Sequence, residues 1–180
     1  MNNPSEAAPP PAPAERPEPT GRPREYIEGL AGRIAGKLGL EPGDDLEPVV
    51  DRLGGNLLVR PWNQPRVSGS IHVRGPSDFT IFLSPFTGPL RNRFTIAHEL
   101  GHYFLHSLVG EKPIEINREG NDRTEWEANW FADGFLMPEA KFKQKWEEFE
   151  RRIEPMAAHF VVSTQTVRTR SQSLGLPGAD

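Results

Sequence analysis

Arg93-Phe94-Thr95-Ile96-Ala97-His98-Glu99-Leu100-Gly101-His102-Tyr103-Phe104-Leu105-His106 is the stretch that decides how the chain is read. Its centre, His98-Glu99-Leu100-Gly101-His102, has the pattern H-E-x-x-H. Residues four apart lie on one face of an α-helix. His98 and His102 are then about 6 Å apart along the axis. Two imidazoles so placed can reach one zinc ion at roughly 2.0–2.1 Å. Glu99 points to one side of the pair, where a carboxylate serves as general base. The flanks favour the helix, since Ile96, Leu100 and Phe104 line the opposite face, with Ala97 and Tyr103 beside them. Gly101 costs about 1 kcal/mol against Ala inside a helix, which predicts a second helix crossing closely there. The plainer alternative is a core helix that carries surface histidines by chance.

Composition narrows the chemistry. The 180 residues suit one domain with appendages, and they include no cysteine. Disulfides and thiolate metal sites are excluded, so a metal must use His and carboxylate. Hydrophobic residues make up 36% of the chain, and the mean hydropathy of −0.59 is low partly because many of the 19 prolines crowd the first 25 residues. Pro9-Pro10-Pro11 interrupts the one stretch resembling a secretory apolar region. No run approaches the roughly 18 apolar residues of a membrane span. A soluble, cytoplasmic protein is the expectation. A net charge of −4 speaks against a general nucleic-acid binder but leaves room for a local basic patch.

Along the chain, residues 1–24 are Pro-, Ala- and Glu-rich and lack the apolar content that offsets ordering entropy; they are expected to be disordered. Helical spacing predicts helices over 25–39 and 45–53. Strands are predicted near 57–62, 70–74 and 79–84, with Gly75-Pro76-Ser77-Asp78 as a turn. The H-E-x-x-H helix starts near 89–91. Residues 108–122 read as a loop, and helices follow over 124–136 and 139–151. Ile153 to Leu176 reads as two short helices around Val162-Ser163. The expected fold is α+β: a small three-stranded sheet packed on the H-E-x-x-H helix in a domain spanning 25–138, then a helical segment over 139–180.

A catalytic zinc site needs a third protein ligand. His106 continues the four-residue spacing, but it lies about 12 Å along the axis from His98 and cannot share its ion. The longer histidine pattern of metzincins is absent, because Leu105 and Leu108 stand where it needs Gly and His. The remaining candidates are Glu125 and Glu127 on the next helix. Glu125 shares a face with Ala128, Asn129 and Ala132, whereas Glu127 points away from it. Both fit capping boxes, Asp122-x-x-Glu125 and Thr124-x-x-Glu127. The spacing favours Glu125 as metal ligand, with Glu127 as the alternative. Asn129, one turn on, is placed to hydrogen-bond a ligand histidine. Tyr103, His72 and His159 are the candidates for an oxyanion partner. A substrate strand is expected to pair with a sheet edge near 79–84.

Arg93-Phe94-Thr95-Ile96-Ala97-His98-Glu99-Leu100-Gly101-His102, with Leu105-His106 after it, and Glu125-x-Glu127-Ala128-Asn129-x-Phe131-Ala132, followed by Leu136-Met137-Pro138, resemble the ImmA/IrrE family of zinc metallo-endopeptidases. The resemblance covers residues 25–176 and is strongest over 93–138. It implies a minimal zincin-like α+β domain with zinc held by His98, His102 and Glu125, and with Glu99 as base. It also implies a role: cleaving or otherwise inactivating a helix-turn-helix repressor of the XRE class, which switches on a mobile element or a stress response. Non-catalytic sequestration of the repressor is the rival. Met156 to Arg170 itself resembles a helix-turn-helix, which raises a DNA-binding regulator as a third reading. Against DNA contact, residues 139–180 hold seven Lys/Arg and six Asp/Glu, and Arg168 and Arg170 splay by roughly 200° around a helix.

Overall fold

Two helices carry His98, His102 and Glu125 between them, and the rest of the chain packs around their crossing. In the computed structural model, residues 13–63, 69–117 and 122–178 are described. The first of the two, α3 (Pro89–Gly101), starts with Pro in its first turn, where the missing N–H costs nothing. It runs on into a five-residue π-helical turn, His102–His106. The second, α4 (Arg123–Leu136), is capped by Asp122, whose carboxylate accepts from the Thr124 and Glu125 amides. Where the two helices meet, a Cβ on Gly101 would lie 3.1 Å from both Ala128 Cα and Phe131 Cβ. That is the close crossing the sequence predicts at Gly101.

Before them come α1 (Arg24–Lys37), α2 (Glu47–Arg52) and β1 (Gly55–Val59), then β2 (Gly69–Gly75) and β3 (Asp78–Leu83). After the π turn come β4 (Ile114–Asn117) and, beyond α4, α5 (Glu139–Glu148), α6 (Ile153–Phe160) and α7 (Thr164–Ser173). The fold class is α+β, as expected, but the sheet has four strands in the order β1-β3-β2-β4. β4 falls inside the stretch read as a loop over 108–122. Its Ile114-Glu115-Ile116 alternation buries both isoleucines and exposes Glu115, a real strand signal but too short to stand out beside Gly110 and Pro113.

The sheet order also corrects the expected substrate edge. β3 pairs in parallel with β1 on one side and antiparallel with β2 on the other. The strand over 78–83 is therefore interior; the edges are β1 and β4. The parallel pairing arises because β2 and β3 form the hairpin and β3 then inserts beside β1. Local sequence carries no signal for that choice.

Of the amino-terminal segment 1–24, expected to be disordered, residues 1–12 lie outside the described residues, and residues 13–23, mostly exposed, make polar contacts with the domain. Glu15 bridges Ile114 in β4, its amide donating to the Pro113 carbonyl at 2.7 Å. The Thr20 and Gly21 amides donate to the Glu127 carboxylate at 2.7 and 3.0 Å. Backbone donors meeting a fixed acceptor replace the apolar contacts that this segment lacks.

The carboxy-terminal helices share the core of the preceding domain. Phe142, Trp146, Ile153, Met156, Phe160 and Val167 are buried in the same cluster as Ile27, Ala31 and Phe135, so the boundary drawn at 138/139 does not separate two cores. α7 is tied in by charge as well. Arg170, fully buried, meets Glu28 at 2.5 Å and donates from Nε and Nη2 to the Met137 carbonyl at 3.2 Å. Arg24, itself partly exposed, pairs with Glu28 at 2.5 Å and with Asp133 at 3.1 Å, so that three ion pairs with shared members link α7, α1 and α4. Removing one member leaves a buried charge without its counterion, which costs about 3–5 kcal/mol.

Two stability predictions come from this packing. A Cβ on Gly134 would lie 2.4 Å from the Glu28 carbonyl oxygen and 2.6 Å from its Cα. Backbone cannot swing aside, so Gly134→Ala should lower stability by about 1–3 kcal/mol, despite alanine's better helix propensity. Urea unfolding measures this, and an unchanged midpoint would mean that α1 and α4 can separate freely.

The second concerns Asp133, where burial raises the carboxyl to about 6, outweighing Arg170 and Arg24. A raised folded value means that the contribution to stability is full below the unfolded pKa of 3.8 and is lost as pH rises through about 6. Between pH 4.5 and 7, wild type should therefore lose stability relative to Asp133→Asn. Unfolding midpoints at the two pH values decide it; the opposite trend would show that the arginines dominate.

Candidate metal centre

Helix α3 and the first residue of the π turn present His98, Glu99 and His102 to the interior, each no more than 1% exposed. The crossing at Gly101 brings the first turn of α4 over them. One nitrogen from each of His98 and His102 and one Glu125 oxygen lie within 4.8 Å of one another. The two Nε2 atoms are 3.1 Å apart. His98 Nε2 is 3.2 Å from Glu125 Oε2, and His102 Nε2 is 3.3 Å from Oε1.

These distances test the site directly. A tetrahedron with arms of about 2.05 Å has edges of about 3.3 Å. The donor set, two imidazoles and one carboxylate, is one that zinc accepts with a fourth position left open. The residues therefore fit a metal ion. Burial raises the Glu125 carboxyl, but hydrogen bonds to His102 and His98 outweigh it and hold the group well below the ordinary carboxylate range. Glu125 is thus an anion in its buried position.

The two glutamates of α4 part company as the spacing predicts, although Glu127 does not face solvent. Asp122 caps the helix by accepting from the Thr124 and Glu125 amides, while the Glu125 carboxylate is turned to the two histidines. Glu127 is fully buried, and its Oε2 lies 3.3 Å from His106 Nε2. Arg123 Nε donates to its Oε1 at 3.0 Å. Burial raises its carboxyl, while Arg123, Thr20 and His106 together bring it below the ordinary range. The helical projection missed this burial because it could not include residues 13–23, which cover that side of α4.

Asn129 Oδ1 stands 2.9 Å from His98 Nδ1, the position sequence spacing marked for it. His106, set aside as a ligand on distance, stays outside the metal group, but its Nδ1 is 2.9 Å from His102 Nδ1. Burial, and then neighbouring His102, lower His106 to about 4, against the opposing pull of Glu127. The π turn delivers this contact by shifting the residues after His102 from ordinary helical register.

None of the three oxyanion candidates is placed against the ligands. Tyr103 is a core residue: its ring stacks on Phe79 at 4.3 Å and its hydroxyl accepts the Ser77 amide at 3.2 Å. His72 alternates with Ile71 and Val73, which face the core, so it lies on the far side of the sheet. His159 packs edge-on against Phe149 and Phe160. The start of β2, in contrast, touches the site. A Cβ on Gly69 would fall 2.3 Å from Thr95 Cγ2 and 2.9 Å from Glu99 Oε1. Two hollows of about 360 and 290 Å³ share Phe94 and Thr166 and reach Thr95 and Asn129 respectively, without being lined by His98, His102 or Glu125.

An H-E-x-x-H helix crossed by a glutamate-bearing helix beside a small sheet defines a peptidase-type metal fold. The chain belongs to the Peptidase M78 family, the IrrE N-terminal-like domain, whose family model matches residues 51–172. Among solved structures it is similar to a Mycobacterium tuberculosis transcriptional regulator, with a TM-score of 0.62 and 20% identity over 86% of this chain and 49% of that one. The chain thus spans about half the length of that regulator, and the likeness is one of fold. No curated protein matches it significantly.

Glu125→Gln is expected to lose bound metal, because a neutral amide oxygen is a far weaker zinc donor than a carboxylate. Metal content of the purified variant against wild type measures this. Full retention would show that the third ligand lies elsewhere.

Proposed function

We propose that the chain is a zinc-dependent endopeptidase that cuts a helix-turn-helix repressor of the XRE type. The observation that carries the enzymatic reading is Glu99. Two histidines and Glu125 are enough to hold a metal; a further carboxylate beside them, on the same helical turn as His98, is what hydrolysis needs and a structural site does not.

His98, His102 and Glu125 would hold the ion, and zinc bound there would supply an acidified water and a Lewis acid for the scissile carbonyl. Glu99 takes the proton from the attacking water and returns it to the leaving amine nitrogen. Asn129 keeps His98 oriented through its Nδ1. Glu99 is buried, and Gly69 leaves room for its carboxylate under β2. In this reading the helix-turn-helix-like segment shapes the protease and does not read DNA, which agrees with the burial of Arg170. Among the described residues no helix is long and apolar enough to cross a membrane. A repressor as target places the reaction in the cytoplasm.

Glu99→Gln is expected to keep fold and metal while cleavage falls by at least a hundredfold, about the lower bound for loss of a general base. Incubating zinc-loaded wild type and variant with an XRE-type repressor, and mapping products by mass spectrometry, tests both enzyme and substrate. One discrete cut made by wild type alone supports the proposal. Equal repressor inactivation by the variant without any cut would move the protein to sequestration.

A further inference from the structure

We infer that His106 and Glu127 form a positioning relay behind the metal site, fixing the ring of His102 in its ligating tautomer. The inference rests on the reading of His98, His102 and Glu125 as metal ligands. His102 turns Nε2 toward Glu125 and His98. A neutral imidazole that gives Nε2 to a metal carries its proton on Nδ1. That Nδ1 is 2.9 Å from His106 Nδ1, so the His106 atom must accept. The proton of His106 then belongs on Nε2, which is 3.3 Å from Glu127 Oε2. A carboxylate is the acceptor this end requires. The hydrogen bonds therefore run in one direction, from His102 through His106 to Glu127.

Glu127 is itself held in place. Its oxygens accept from the Thr20 and Gly21 amides and from Arg123 Nε, and none of these partners is a metal ligand. The side chains of His102, His106 and Glu127 are at most 3% exposed, so bulk water cannot replace a missing member. His98 has the simpler arrangement, one amide oxygen on its Nδ1. The two ligands are thus oriented by different means: His98 by its neighbour on α4, and His102 by a chain that ends on the amino-terminal segment.

Chelator competition for zinc with the full-length protein tests the relay. His106→Leu removes the acceptor, and zinc affinity should fall by about 10–100-fold. His106→Gln can accept from His102 and donate to Glu127, and should recover most of the loss. Glu127→Ala should weaken affinity in the same direction. In ¹⁵N-labelled, zinc-loaded wild type, the His106 ring should carry its proton on Nε2. A merely structural histidine would change thermal stability without this tautomer or the rescue by glutamine. Folded His106→Leu that binds zinc as wild type does, or a wild-type His106 protonated on Nδ1, would overturn the relay. If His106→Leu does not fold, the wild-type tautomer and the glutamine variant decide alone. Wild type that binds no zinc would instead overturn the metal reading on which the relay rests.

Discussion

The crossing of α3 and α4 at Gly101 is the contact on which the site depends. Neither helix alone offers more than part of a coordination shell. With no side chain at Gly101, Ala128 and Phe131 approach to within van der Waals reach, and the first turn of α4 sits over His98 and His102. The carboxylate of Glu125 is thereby buried against two imidazoles, at separations close to tetrahedral edges. An isolated buried carboxylate would be strongly disfavoured. Here the histidines offset that cost, so the geometry of the crossing and the chemistry of the site support each other.

Other parts of the chain keep this crossing rigid. α1 packs on α4 through backbone close enough that Gly134 tolerates no Cβ. Arg170 reaches from α7 to Glu28 on α1 and to the carbonyl that ends α4. The last helices therefore brace α4, one of the two helices of the candidate metal centre, from behind. This explains why a segment patterned like a helix-turn-helix turns its second arginine inward. A residue committed to a buried ion pair is unavailable to a phosphate backbone.

The amino-terminal segment plays a matching part on the opposite side. It has too few apolar groups to dock by burial, so it docks through amides: on the edge of β4 and on Glu127. That contact places a polar network of His106, Glu127 and Arg123 directly behind a ligand histidine. Such networks are costly when incomplete and rigid when satisfied.

The sequence by itself determined the parts whose signals are local. Four-residue spacing put His98 and His102 on one face, and the shared face of Glu125, Ala128 and Ala132 set the Glu125 carboxylate towards them. Asn129 followed from the same helical arithmetic. Periodicity placed the helices, and the Gly75–Asp78 turn announced the β2–β3 hairpin. What only the tertiary structure decided has no local signature. The insertion of β3 between β1 and β2, the pairing of the brief Ile114–Asn117 strand, and the burial of Glu127 under residues 13–23 all depend on partners distant in the chain. Tyr103 shows the same limit, since its neighbour His102 faces the site while its own ring is taken up by Phe79 across the core. A helical projection tells which residues share a face; what covers that face depends on non-local contacts, whose free energy no single stretch of the chain contains.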